Sequence, residues 1–172
     1  ASTSRVLALS GDLAFGEVAV GSSATRTLTL TNLGNSTLNV TGITYPAGFS
    51  GNAAGQLPPG ASGTVTVTFR PTTLTAYAGV ATVASDATSG ASTRSLSGIG
   101  VTPAPVNDRL NFAVNLLGTS LTATANSSSA TRETGEPDHA GLPGGSSVWW
   151  RWTANTTGPV AINTIGSNFD TL

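Results

Sequence analysis

A chain of 172 residues with 38% hydrophobic side chains holds enough apolar material for one large core or two small ones, which argues against disorder. Charged residues make up only 9% and the formal charge is −1, so no field gathers nucleic acid or anionic lipid; the seven basic residues are all arginines, spread singly. Cysteine is absent, which excludes a disulfide framework and a thiolate metal site, and no apolar run reaches the length of a membrane span. With no Met and no visible signal peptide, the chain is expected to be a piece of a longer polypeptide. Its low-charge, Thr/Ser/Gly-rich, cysteine-free make-up is common among bacterial secreted proteins.

Leu13 and Phe15 alternate into Gly16, and Val18 and Val20 alternate after it, which predicts an opening strand kinked at the glycine. From Arg26 to Val40, Leu28 and Leu30 alternate with threonines, and Leu38 and Val40 do so again beyond Asn32-Leu-Gly-Asn-Ser36. Period two puts the aliphatic set on one face of a pleat. Gly34 and Asn35 tolerate positive φ, so the segment reads as an antiparallel hairpin. Pro46 makes the Tyr45–Phe49 stretch an edge or crossing segment, and Leu57-Pro-Pro-Gly60 is a turn. Val65, Val67 and Phe69 face one way and Thr64, Thr66, Thr68 and Arg70 the other, until Pro71 stops the strand. Two weaker strands, 77–85 and 92–99, flank the turn Asp86–Gly90. About seven short strands with frequent turns predict a two-sheet sandwich.

The order Leu13-x-Phe15-Gly16-x-Val18, Leu30-Thr-Asn32-x-Gly34-Asn35, Leu57-Pro-Pro-Gly60, Val67-Thr-Phe69-Arg-Pro71 and Leu96-Ser-Gly98-Ile-Gly100 resembles the ASPM/SPD/Hydin-type (ASH) immunoglobulin-like modules, relatives of major-sperm-protein domains found in bacterial choice-of-anchor D surface proteins. The resemblance covers roughly residues 6–100 and implies a tandem, non-catalytic scaffolding unit.

Pro103 and Pro105 favour an extended, semi-stiff connector. The expected division is therefore an immunoglobulin-like sandwich over 1–101, a linker over 102–106 and a second domain over 107–172. The second part opens on a short helical turn capped by Asn107 or Asp108. Strands are predicted where Leu121, Ala123 and Ala125 alternate with threonines, over Ser147–Thr153, and over Val160–Ile165, with a turn-rich loop at 134–145. Asn107-Asp108-x-x-x-x-Ala113, Glu133-x-Gly135-Glu136-Pro137-x-His139-Ala140-Gly141, Ser147-Val148-Trp149-Trp150-x-Trp152 and Gly166–Leu172 resemble the bacterial pre-peptidase C-terminal type of β jelly roll, an accessory domain of secreted peptidases. The family pattern implies further strands beyond Leu172, an incomplete second module, and in isolation an unpaired edge with an uncovered apolar face. The fold class expected for the whole is all-β, an immunoglobulin-like β-sandwich plus a partial β jelly roll.

In an extended strand Trp150 and Trp152 share a face, and Trp149 and Arg151 lie opposite. Burying one Trp removes roughly 200 Å² from water, worth at most about 5 kcal/mol, which makes Trp150 and Trp152 core anchors. Trp149 either packs under a loop or offers a platform to a glycan ring. The carboxylates Asp108, Glu133, Glu136 and Asp138, with Asp170 as a possible addition, fall near one loop and the domain entry. Hard oxygen ligands in such a loop suit Ca²⁺, which takes six to eight of them, and some related jelly rolls bind it; without a regular Asp-x-Asp spacing, the alternative is a polar loop paired to Arg109 and Arg132. His139 is the only histidine. It lacks a nucleophile elbow or a distant carboxylate partner in sequence, and is read as a pin for the loop or part of a ligand site with Trp149. No catalytic residue and no organic cofactor is assigned.

These readings converge on a non-catalytic spacer in a large bacterial exported or cell-surface protein, whose partners are the other domains of the same polypeptide. The rival is an extracellular module that grips a glycan or protein through Trp149 and the 133–141 loop, with calcium.

Overall fold

The computed structural model describes residues 2–138, 141 and 144–168. The chain divides into two compact units, Ala1–Thr102 and Pro103–Leu172. In unit 1 the strands are β1 (Val6–Ser10), β2 (Ala14–Ala19), β3 (Ala24–Asn32), β4 (Leu38–Thr44), β5 (Phe49–Gly51), β6 (Gln56–Leu57), β7 (Ser62–Phe69), β8 (Ala76–Ser85), β9 (Ser89–Gly90) and β10 (Thr93–Val101). They make two sheets, in the orders β5-β7-β3-β1-β9 and β2-β10-β8-β4-β6.

The alternation of the sequence becomes the core. Leu28 and Leu30 of β3, Leu38 and Val40 of β4, and Val65, Val67 and Phe69 of β7 are all buried between the sheets. Phe69 is fully buried and stacks on Phe49 at a centroid separation of 4.7 Å, with Phe15 at 5.6 Å and the edge of Tyr77 at 5.2 Å. Room for that ring comes from Gly98, where a Cβ would enter it. β1 escapes the sequence reading because it is short, yet Leu7 is buried.

The predicted hairpin is an arch instead. β3 pairs with β1 and β7, whereas β4 pairs with β6 and β8 in the opposite sheet. Period two reports which side of a strand is buried, and both strands of an arch bury the same set that a hairpin would. Asn32 holds the arch from inside. Its side chain is wholly buried, donates from Nδ2 to the carbonyls of Ser36 (2.8 Å) and Leu57 (2.9 Å), and accepts the Gly34 amide at Oδ1 (2.9 Å). Gly34 is required for close approach rather than for positive φ, because a Cβ there would strike the Ser4 carbonyl. The kink at Gly16 is as expected. It has φ +68°, and the register of β2 on β10 shifts there, so that Phe15 and Val18 both point inward three residues apart.

The ends of unit 1 lie at opposite poles. Val6 begins β1 beside the last residues of β3, with Leu7 opposite Asn32. Val101 ends β10 opposite Ala19, where the β2–β3 turn and the loop after β7 meet through the Gly21 amide and the Pro71 carbonyl (3.2 Å).

Unit 2 is built differently. It has a 3₁₀ turn, Leu110–Phe112, and a parallel pair, β11 (Val114–Leu116) with β12 (Trp150–Trp152). The residue at the head of the turn is Arg109, and its side chain makes no capping bond, so neither Asn107 nor Asp108 serves as the predicted cap. The stretches 121–125 and 160–165 are not in strands. Alternation alone does not make a strand; a ladder needs a neighbour, and none of the described residues supplies one for either stretch.

Candidate functional site

The residues that suggested chemistry gather at the start of unit 2 and in its long loop. Asn107 and Asp108 are both buried, which is costly for polar side chains unless every group is bonded. Asn107 clamps Trp149 on both sides: its carbonyl accepts the Trp149 amide at 2.9 Å and its Nδ2 donates to the Trp149 carbonyl at 3.1 Å. The Val114 amide donates to that same carbonyl at 3.1 Å, which seats β11 against β12. Asp108 accepts both the Thr131 amide (2.6 Å) and the Thr131 hydroxyl (2.9 Å).

The remaining carboxylates continue the lacing. Glu133 reaches the Leu110 amide at 2.9 Å and so supplies, from a distant loop, the cap that the 3₁₀ turn lacks locally. Glu136 Oε2 accepts the Glu133 amide (3.0 Å) and the Ser147 hydroxyl (2.9 Å). Arg132 donates to the Glu136 carbonyl (2.9 Å) and forms an ion pair with Asp138 (2.7 Å) that is largely in solvent. Among the described residues there is no group of three or more acidic, His or Cys side chains placed to hold a metal ion. Asp108, Glu133, Glu136 and Asp138 are each engaged by backbone amides, hydroxyls or a guanidinium, and the arrangement acts as a set of tethers for the 131–147 segment. His139 and Asp170 lie outside the described residues.

The three tryptophans are half-buried. Trp152 donates its indole N–H to the Gly118 carbonyl at 2.8 Å, pinning the turn that follows β11. Asn107 holds Trp149 through its backbone amide and carbonyl, and the Trp149 side chain is half-buried. Asn107 stands out in the sequence as a candidate cap and as the head of a motif, but its spacing from Trp149 gives no sign of the clamp.

Unit 1 holds polar constellations of its own. The Tyr77 phenolic oxygen receives the amides of Thr72 and Thr73, each at 3.0 Å, and contacts the Thr73 hydroxyl at 2.9 Å. The Thr72 hydroxyl (3.4 Å) first, then the Thr73 hydroxyl and the two amides, stabilise the phenolate and lower its pKa to about 8. Asp86 takes the Asn39 amide and carboxamide, each at 2.8 Å, and lies 3.5 Å from Arg5; the Asn39 amide first, then its side chain, holds the carboxyl below its ordinary value. Burial pushes the Tyr45 phenol up. A cleft of about 290 Å³ runs between the start of β2 and β10, but its charged residues serve the backbone: Asp12 accepts the Ala14 amide (2.9 Å) and Arg94 donates to the Gly11 carbonyl (3.0 Å from Nε). Nothing in either unit joins a nucleophile, a base and an orienting carboxylate among the described residues.

Comparison with known proteins agrees with this picture of unit 1. The family model for the HYDIN/CFA65/VesB-like Ig-like domain matches residues 6–98, more than half of the chain. No curated protein sequence matches. Among solved structures, a Porphyromonas gingivalis W83 protein of unknown function is similar at 16% identity and TM-score 0.45 over 56% of this chain, which spans 46% of that protein's chain. The ASH / PapD-like domain 7 of human CEP192 is similar at 17% identity and TM-score 0.44, over 58% of this chain and 88% of that one. The VesB protease of Vibrio cholerae is similar at 21% identity and TM-score 0.36, over 52% of this chain and 30% of the protease chain. With ten strands in two sheets, a continuous apolar core and a family match running from β1 into β10, the chain belongs to the HYDIN/CFA65/VesB-like family of Ig-like domains.

Proposed function

We propose that this chain is a non-catalytic spacer segment of a larger exported or cell-surface protein, setting the separation between other domains of the same polypeptide. The observation that carries the reading is the placement of the two ends of unit 1 at opposite poles of the sandwich. Chain termini in domains are often close together. Opposite poles are what a rod of modules needs, because each unit then advances the chain by its own length. The polar residues of unit 2 support the same reading, since Asn107, Asp108, Glu133 and Glu136 are spent on holding backbone in place. No helix among the described residues is long and apolar enough to cross a membrane. The proposed export rests on the resemblance of residues 6–100 to modules of bacterial surface proteins.

Single-molecule pulling on the chain, tethered at both ends, tests this. Unit 1 is expected to give one discrete unfolding event in every trace, with a length gain matching the release of about one hundred residues at roughly 3.5 Å each. Gradual extension without a resolved event would remove the mechanical basis of the proposal.

A further inference from the structure

A chain without lysine offers a protease of basic specificity only its seven arginines, and the fold withholds all but one of them. Such an enzyme takes its substrate as an extended strand, with the arginine seated in an acidic pocket. Arg26 and Arg94 are inside ladders, opposite Val67 and Ala81, and the Arg94 guanidinium also holds the Gly11 carbonyl. Arg5 gives its amide to the Thr88 hydroxyl and its Nε to the Asp86 carbonyl. Arg70 is followed by Pro71, whose ring nitrogen takes the place of the N–H in an ordinary scissile bond. Arg132 is tied to Asp138 and to the Glu136 carbonyl, and Arg151 is in β12 opposite Asn115.

Arg109 is the exception. It is exposed, its backbone is extended (φ −107°, ψ 144°), and its side chain makes no hydrogen bond or ion pair among the described residues. The 3₁₀ turn after it, Leu110–Phe112, buries no residue. Straightening that turn breaks the bonds from the Phe112 amide to the Arg109 carbonyl and from the Ala113 amide to the Leu110 carbonyl, and exposes no core, so local opening is cheap.

The two sides of the Arg109–Leu110 bond are held by different groups. Upstream, Asn107 is bonded to Trp149 and Asp108 to Thr131. Downstream, the Leu110 nitrogen donates to Glu133 Oε2 at 2.9 Å. That nitrogen is the leaving group of a cut after Arg109. Hydrolysis adds one water across the bond, so that Arg109 ends as a carboxylate and Leu110 as an α-ammonium. The neutral donor facing Glu133 thereby becomes a charged one, and hydrogen bonds between ionised partners are roughly twice as strong as neutral ones.

We infer that the Arg109–Leu110 bond is a processing site for a protease with an acidic specificity pocket, and that Glu133 receives the new amino terminus. The cut exchanges a covalent joint for one held by side chains. Asn107 and Asp108 keep the upstream end seated on the loop segments they already grip, and Glu133 keeps the downstream end beside it.

The test treats the whole chain with a trace of trypsin under native conditions, reading the cut by mass spectrometry and the joint by gel filtration in rising urea. The first products are expected to be residues 1–109 and 110–172, eluting together without urea. Arg109→Gln is expected to slow the loss of intact chain at least about tenfold, since every other arginine needs a larger opening. Glu133→Gln keeps an acceptor for the Leu110 nitrogen but removes the charge. It is expected to leave the position of the cut unchanged and to lower the urea at which the cut pieces separate, with the uncut chain eluting as the wild type does. A first cut at any other arginine would overturn the site, as would an Arg109→Gln chain digested at the wild-type rate. Cut pieces that separate without urea would overturn the joint, as would a Glu133→Gln effect of equal size on the uncut chain.

Discussion

The two units solve the problem of holding a chain in opposite ways. Unit 1 buries a continuous apolar set from Leu7 to Leu96 and satisfies its backbone with long ladders. In unit 2, Ala130 is the only buried hydrophobic among the described residues, and the other buried side chains named are Asn107 and Asp108. Leu117, Ile162 and Ile165 are 85%, 87% and 90% exposed there, so apolar area that would stabilise a core remains in water. Polar tethers specify geometry, yet each returns only about 0.5–1.5 kcal/mol net, whereas a buried aromatic ring returns several times that. Unit 1 is therefore expected to unfold cooperatively and unit 2 to open locally with little cost.

The largest test of this contrast is Phe69→Ala. It removes a fully buried ring in contact with Phe15, Phe49 and Tyr77, and is expected to cost about 3–5 kcal/mol in urea unfolding of unit 1. A cost below about 1 kcal/mol would show that the core is not what holds the sandwich. Asn32→Ala comes next. It orphans the Ser36 and Leu57 carbonyls and the Gly34 amide, and is expected to cost about 2–3 kcal/mol by the same measurement. In unit 2, Asn107→Ala removes one bond to the Trp149 carbonyl while the backbone bonds remain. Its expected effect is about 1 kcal/mol or less, read as faster exchange of the Trp149 and Val114 amides with β3 and β7 unchanged. Loss of protection in β3 and β7 would mean that the units are not energetically separate.

The smallest effects are in pH. The Tyr77 pKa is lowered in the folded state from 10.0 to about 8, so folding favours the phenolate. Its contribution is fully present above pH 10 and is lost as pH falls through about 8, so wild-type stability should rise between these values relative to Tyr77→Phe. Chemical unfolding across that range checks the slope. Asp86 is likewise lowered, so its contribution is present above 3.8 and is lost as pH falls through its depressed folded value; Asp86→Asn should flatten the acid limb.

Much of unit 1 was legible because its physics is local. Val65, Val67 and Phe69 announce their face by alternation, and Gly16 announces its bulge. The partner of each strand was not legible, since β4 alternates identically whether it returns to β3 or crosses to β8. Site residues show the same limit. Asp108, Glu133 and Glu136 stood out as a set, but their roles depend on which amide lies within 3 Å, and Leu110 and Thr131 carry no mark of that in the sequence. Tyr77 went unremarked because its partners are the amides and hydroxyls of Thr72 and Thr73, common groups in a chain this rich in threonine, and only the fold brings them onto one phenol oxygen.

β2 bears on how the molecule is made. In its sheet it is an edge strand, and its one ladder neighbour is β10, the last strand of unit 1. During synthesis β2 emerges early, and its ladder cannot close until β10, nearly the whole unit later, has followed it. Closure then comes late and over a long loop, which slows folding.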